Sequence, residues 1–134
     1  MKKLLLVVAL LSLNGCAVYD ALMMTKYDPS EYKIVAEIRT HAQLYKTSCS
    51  DAVLSKSNSY DLANRTMLFV NYSEHIPNNK NSQSAAKNLN DIAQGLADKY
   101  RKNETVSPMF CKLKFESVEH SAATIQHVLG NRPR

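Results

Sequence analysis

Ser107-Pro108-Met109-Phe110-Cys111-Lys112-Leu113-Lys114-Phe115-Glu116-Ser117-Val118, continuing without a break to Gly130, is the stretch whose reading decides the fold. Cys111, Phe115, Val118, Ala122, Ile125 and Leu129 recur at steps of four and three, the period of one face of an α-helix. Ser107 can cap the free amides of the first turn and Pro108 suits the first helical position. Gly130 and then Pro133 stop the helix. One long amphipathic helix cannot bury its apolar stripe alone, so the rest of the chain must supply matching faces.

It supplies them upstream. Asp28-Pro29-Ser30-Glu31 repeats the cap-then-proline signal, and Glu31 stands three residues after the cap, as in a capping box. Tyr32, Val35, Ile38, Ala42, Tyr45 and Cys49 follow at helical steps, predicting a helix from about Pro29 to Thr47. Ala85, Leu89, Ile92, Leu96 and Tyr100, helped by Ala93, trace another helix, started by Asn81 or Ser82. Gly95 inside it costs up to about 1 kcal/mol relative to Ala. Between these, Ser48 to Ser59 is rich in Ser and Asn and reads as a connection, in which Ala52-Val53-Leu54 can form another turn, with a helix starting near Ser59 and carrying Tyr60, Ala63, Met67 and Val70. Thr66 to Tyr72 is the most strand-like run but has no partner strand, and it is read as helix. Pro77-Asn78-Asn79-Lys80-Asn81 is a turn. The expectation is an all-α, up-down-up-down four-helix bundle; the alternative is a three-helix core with an irregular second segment.

The N-terminal end reads differently. Lys2 and Lys3 precede an apolar run from Leu4 to Leu11, too short for a membrane-spanning helix of about 20 residues. Leu13-Asn14-Gly15-Cys16 then resembles the lipobox of a bacterial lipoprotein signal, the type cut by the lipoprotein signal peptidase, with Asn14 in place of the more usual Ala or Ser. The resemblance covers the first sixteen residues. It implies a cleaved leader over 1–15, acyl chains (palmitate or similar) on Cys16, a tether over 16–28 and a helical periplasmic domain over 29–134. Val18, Leu22 and Met23 can share one face of a short helix within the tether. Ala17 after Cys16, in place of the Asp that retains such proteins in the inner membrane, implies the outer membrane, with the domain facing the periplasm.

With Cys16 assigned to lipid, Cys49 and Cys111 remain, an even pair in an oxidising compartment. The up-down-up-down topology puts the end of the first helix and the start of the fourth at the same end of the bundle, so the two thiols are expected to form a disulfide. The lipid tether and the C-terminal residues, with Arg132 and Arg134 near lipid headgroups, belong at the opposite end. Lys99, Arg101, Lys102, Lys112 and Lys114 then gather around the disulfide as a basic end that faces a partner.

Composition narrows the function classes. The chain has 134 residues, 45% apolar and 22% charged. Without Lys2 and Lys3, 15 basic residues face 12 acidic ones, and no basic stripe with interleaved aromatics points to nucleic acid. No nucleophile elbow or phosphate-cradling glycine loop is present. Glu116, His120 and His127 lie on one helix but lack a metal-binding motif such as His-Glu-x-x-His, and His41 and His75 show no partner pattern. Tyr32, Tyr45, Tyr60, Tyr72 and Tyr100 fall mainly on core faces with their hydroxyls at the edge. The expected function is a non-enzymatic, cofactor-free accessory protein of the envelope, membrane-bound through its lipid and acting on a protein partner. Alternatives are a phage-encoded envelope lipoprotein, either a spanin-like lysis partner or a superinfection exclusion factor, and a small-ligand or metal-binding module.

Overall fold

The computed structural model describes residues 25–134; the lipobox at Leu13–Cys16 and the tether up to residue 24 lie outside the described residues. The described chain is a four-helix bundle without strands: α1 Pro29–Tyr45, α2 Ala52–Glu74, α3 Lys80–Arg101 and α4 Pro108–Gly130, with a 3-10 turn at Lys46–Ser48 closing α1. Each helix packs on its two neighbours in a ring, most extensively α2 on α3 and α1 on α4. None of these helices is long and apolar enough to cross a membrane.

Local chemistry explains most helix boundaries. The Asp28 carboxylate accepts from the Ser30 and Glu31 amides, the Asp51 carboxylate from Val53 and Leu54, and the Ser107 hydroxyl from Phe110. Asn103, at φ 55°, takes the left-handed conformation that ends α3, and the Glu104 amide reaches back to the Lys99 carbonyl.

The stripes on α1 and α4 meet as the spacing predicts. Val35, Ile38 and Ala42 are buried against Cys111, Phe115, Val118, Ala122 and Leu129, while Ile125 packs at the margin. The α3 stripe also holds, with Ala86, Ala93 and Ala97 buried beside Leu89 and Leu96. A Cβ at Gly95 would meet nothing within 4 Å, so the glycine is tolerated there and serves no close approach.

The second helix departs from expectation. It begins at Ala52, seven residues before Ser59, and the serine-rich segment is helical. Its buried face is Ser55, Ser59, Leu62, Ala63, Thr66, Phe69, Val70 and Ser73, while Met67 lies on the surface. The physical reason is that each buried hydroxyl is satisfied inside its own helix. Ser55, Ser59, Thr66 and Ser73 donate to the carbonyls of Ala52, Lys56, Ala63 and Val70. Small hydroxyl residues therefore line the buried face of α2 without leaving an unpaired donor. The irregular second segment of the three-helix alternative is replaced by a continuous helix of 23 residues.

Cys49 and Cys111 form a disulfide, with Cα atoms 5.8 Å apart across a sequence separation of 62. Cys49 sits just beyond the 3-10 turn and is buried, and Cys111 is wholly buried in the first turn of α4. Closing a loop of this length removes denatured-state entropy worth about 4 kcal/mol. Replacing both cysteines by serine should lower the unfolding free energy by about that amount in oxidising buffer, measured by urea titration, whereas the same variant and the reduced wild-type protein should differ little.

Candidate functional site

The two ends of the bundle differ in chemistry. At the disulfide end, the five basic residues come together at the end of α3 and the start of α4, but they are not a free cationic surface. The Lys99 ammonium lies 2.7 Å from a Glu104 carboxylate oxygen, Arg101 pairs with Asp98, and Lys112 is 4.0 Å from Glu116. Lys99 and Lys114 also stand 5.3 and 5.5 Å from the centre of the Phe110 ring, and the Arg101 guanidinium stands 5.4 Å from that of Tyr60. The hydrogen bond and charge of Lys99 hold the Glu104 carboxyl below its ordinary range. Three of the five cations are therefore matched by carboxylates, and Lys102 and Lys114 form no ion pair among the described residues.

What the sequence reading missed at this end is apolar. Leu44, Val53, Leu54, Met109 and Leu113 are all at least half exposed, and they make up five of the eight large hydrophobic side chains exposed in the described chain. They occupy the last turn of α1, the first turn of α2 and the first two turns of α4. Met109 and Leu113 lie one turn apart on the solvent side of α4, opposite the stripe that carries Cys111 and Phe115. The signal was present as Met109 and Leu113 falling off the core period, but it is visible only once the inward face of α4 is fixed.

The opposite end is a buried polar clasp. Glu31 is wholly buried, and it does not serve the capping box expected of it. One carboxylate oxygen accepts from the Asn79 amide at 2.8 Å and from the Ser82 hydroxyl; the other accepts from Arg132 at 2.6 Å. Arg132 donates from its other terminal nitrogen to the Asn79 side-chain oxygen Oδ1 at 2.9 Å. Ser82 is thus spent on Glu31 instead of capping α3, and Asn79, the residue before that helix, makes no side-chain cap bond. Arg132 is spent on its pair with Glu31, with only 10% of its side chain exposed. Around this knot the Tyr27 amide donates to the Pro133 carbonyl at 2.8 Å, the Thr25 hydroxyl donates to the Asn78 carbonyl at 2.6 Å, and the Tyr72 hydroxyl reaches the Asp28 carboxylate at 3.1 Å. The Arg134 guanidinium sits 5.2 Å from the centre of the Tyr27 ring. The start of the described chain and its C-terminus are therefore fastened to each other.

Tyr32, Tyr45 and Tyr100 lie at the core margin with their hydroxyls engaged. Tyr32 accepts from Gln126, Tyr100 pairs with Ser55, and Tyr45 donates to Asp61 at 2.6 Å. Asp61 also takes Arg65 at 2.7 Å, and His41 lies 2.9 Å from the Tyr45 hydroxyl. Burial and the hydrogen bond to Asp61 push the Tyr45 hydroxyl up from 10.0 to about 12. At Asp61 burial works upward but is outweighed by the bonds from Tyr45 and Arg65, so its carboxyl falls below the ordinary range.

His120 and His127 are exposed on α4, and Glu116 faces Lys112. Among the described residues no three His, Cys, Asp or Glu side chains gather as metal ligands would. The gap between Leu62, Leu96 and Phe115 inside the bundle does not admit a water molecule. No family model, curated protein or solved structure matches this chain.

Because the folded state binds the Tyr45 proton more tightly than the unfolded chain, this residue contributes stability that is complete below pH 10.0 and is lost as pH rises through about 12. A tyrosinate absorbance titration should show one late-titrating hydroxyl that disappears in Tyr45→Phe. The alkaline fall in melting temperature should be shallower in that variant than in the wild-type protein.

Proposed function

We propose that this chain is a lipid-anchored protein of the bacterial outer membrane, held by acyl chains on Cys16, and that its periplasmic helical domain works through a protein contact at the disulfide end. The anchor reading comes from the resemblance of Leu13–Cys16 to a lipobox. The bundle is compatible with it: residues 25–28 lie beside the α2–α3 turn and the C-terminus, so an anchor upstream of Thr25 would hold the clasp end at the membrane. The disulfide end would then face away from lipid.

The observation that carries the contact reading is the concentration of exposed apolar side chains at that far end, Leu44, Val53, Leu54, Met109 and Leu113. Large apolar groups collected in one region of a surface mark association sites, whereas scattered ones carry no message. The cations there are mostly paired or stacked, which suits a polar rim around an apolar centre better than a polyanion site. A protein partner fits this surface, and no catalytic step is assigned to it.

Two measurements test the two halves of the reading. Intact mass of the protein recovered from membranes should show loss of residues 1–15 and gain of a diacylglyceryl group and a further acyl chain, and Cys16→Ser should release the chain into the soluble fraction. A photo-crosslinking residue at Leu113 should capture a protein in intact cells, and one at the exposed Asn88 of α3 should not. An unmodified mass overturns the anchor, and equal or absent capture at the two positions overturns the contact.

A further inference from the structure

We infer that the cleft between α1 and α4, on the flank of the bundle, is a binding site for a small anion, a phosphate or a carboxylate, with Arg39 as its charge. The cleft has a volume of about 370 Å³ and is lined by Tyr32, Arg39, Gln126, His127 and Asn131, with Gly130 and Ala123 at its floor and side. It is independent of the anchor and of the far apolar end.

Arg39 is the unusual residue. Its guanidinium has no carboxylate within 4.0 Å among the described residues, and the acids near it on both helices are occupied: Glu37 lies 3.9 Å from both Lys33 and Arg65, and Glu119 binds Lys46 at 2.6 Å. Its Nε is shut off from solvent with no acceptor, an orphaned donor of the kind that native structures rarely leave unexplained. Its one side-chain hydrogen bond among the described residues is a long one, 3.2 Å, from Nη1 to the Gln126 side-chain oxygen. The Nη2 nitrogen, which is neither shut off nor hydrogen-bonded among the described residues, is the one an anion in the cleft can reach, and the anion would supply the missing counterion.

The neighbours bias the cleft the same way. Gln126 spends its oxygen on Arg39 and its nitrogen on the Tyr32 hydroxyl at 3.0 Å, so Tyr32 is the acceptor in that bond and its own proton is free to donate. The Asn131 amide lies 2.8 Å from the His127 carbonyl and 3.3 Å from the His127 Nε2. The lining offers donors from Arg39 and Tyr32, carries no carboxylate, and has the Gln126 side-chain oxygen already spent on Arg39. Such a lining discriminates against cations and for acceptor-rich anions. Gly130 belongs to the arrangement as well: a Cβ there would come within 3.3 Å of the Tyr32 ring, so a side chain would press on the ring that presents the hydroxyl.

The test is an NMR titration of the full chain in detergent micelles with inorganic phosphate and, separately, with succinate, each at constant ionic strength set by sodium chloride. The expected result is a saturable shift of the Arg39 Nε–H signal and of the Gln126 side-chain amide with at least one of the two, half-saturating in the millimolar range. Saturation by phosphate alone or by succinate alone assigns the headgroup chemistry, and both assign a general anion site. Arg39→Gln, which keeps an amide donor towards Gln126, should weaken the response of the Gln126 amide about tenfold or more, the effect of losing a charged hydrogen bond. Tyr32→Phe should weaken it less. A shift that rises linearly without saturation for both anions overturns the site, as does saturation that is unchanged in Arg39→Gln.

Discussion

The structure depends on a carboxylate out of reach of water. Glu31 is wholly buried in the first turn of α1, and an isolated charge there would cost several kcal/mol. It is tolerated because Arg132, Asn79 and Ser82 converge on it. Those three residues come from the C-terminal tail, the α2–α3 turn and the first turn of α3. Satisfying one side chain therefore requires three separated pieces of chain, the start of α1, residues 79–82 and the C-terminal tail, to reach one end of the bundle together. A buried ion pair adds little net stability compared with an apolar replacement, but breaking one side of it is costly. That asymmetry makes the clasp a condition on topology: arrangements that leave the tail loose or shift the turn strand the Glu31 charge.

The other end is closed covalently. The Cys49–Cys111 bridge joins the end of α1 to the start of α4, and the clasp joins the start of α1 to the tail beyond α4. The α1–α4 pair is therefore pinned at both ends, with Val35, Ile38, Ala42, Phe115, Val118 and Ala122 packed between. The α2–α3 pair is held differently, by Leu62, Phe69, Leu89 and Leu96 in the core and by the cross-helix hydrogen bonds of Ser55 with Tyr100 and Thr66 with Asn90. This division leaves the disulfide end able to expose apolar side chains without opening the core, because the bridge behind them carries the closure. It also leaves the α1–α4 flank rigid enough to present Arg39, Tyr32 and Gln126 in a fixed arrangement.

The fold was legible where a large apolar stripe met clear caps. On α1 and α4 the stripe, the Asp28 and Ser107 caps and the cysteine pair all point to the same topology, and the disulfide agrees with it. The reading failed where polar residues do structural work. Ser55, Ser59, Thr66 and Ser73 look like loop and surface residues because their hydroxyls are polar, yet each is silenced by a carbonyl three residues back. Glu31 sits where a capping box would place it, and nothing local announces that Arg132, 101 residues further along the chain, will claim it. The five basic residues were expected to form a charged end, but Asp98, Glu104 and Glu116, close to them in sequence, pair with three of them. Arg39 gave no signal at all, since what makes it unusual is the lack of a carboxylate beside it, a property of three-dimensional surroundings and not of spacing.

The most direct test is a double-mutant cycle between Glu31 and Arg132, read by reversible urea unfolding of the full chain with its disulfide intact. Glu31→Gln and Arg132→Met should each destabilise strongly, by about 3–5 kcal/mol for a broken buried pair. The double variant should recover part of that loss, giving a coupling energy of about 1–3 kcal/mol. Single effects that simply add, to within about 0.5 kcal/mol, would mean that the two residues act separately and that the clasp does not organise the bundle.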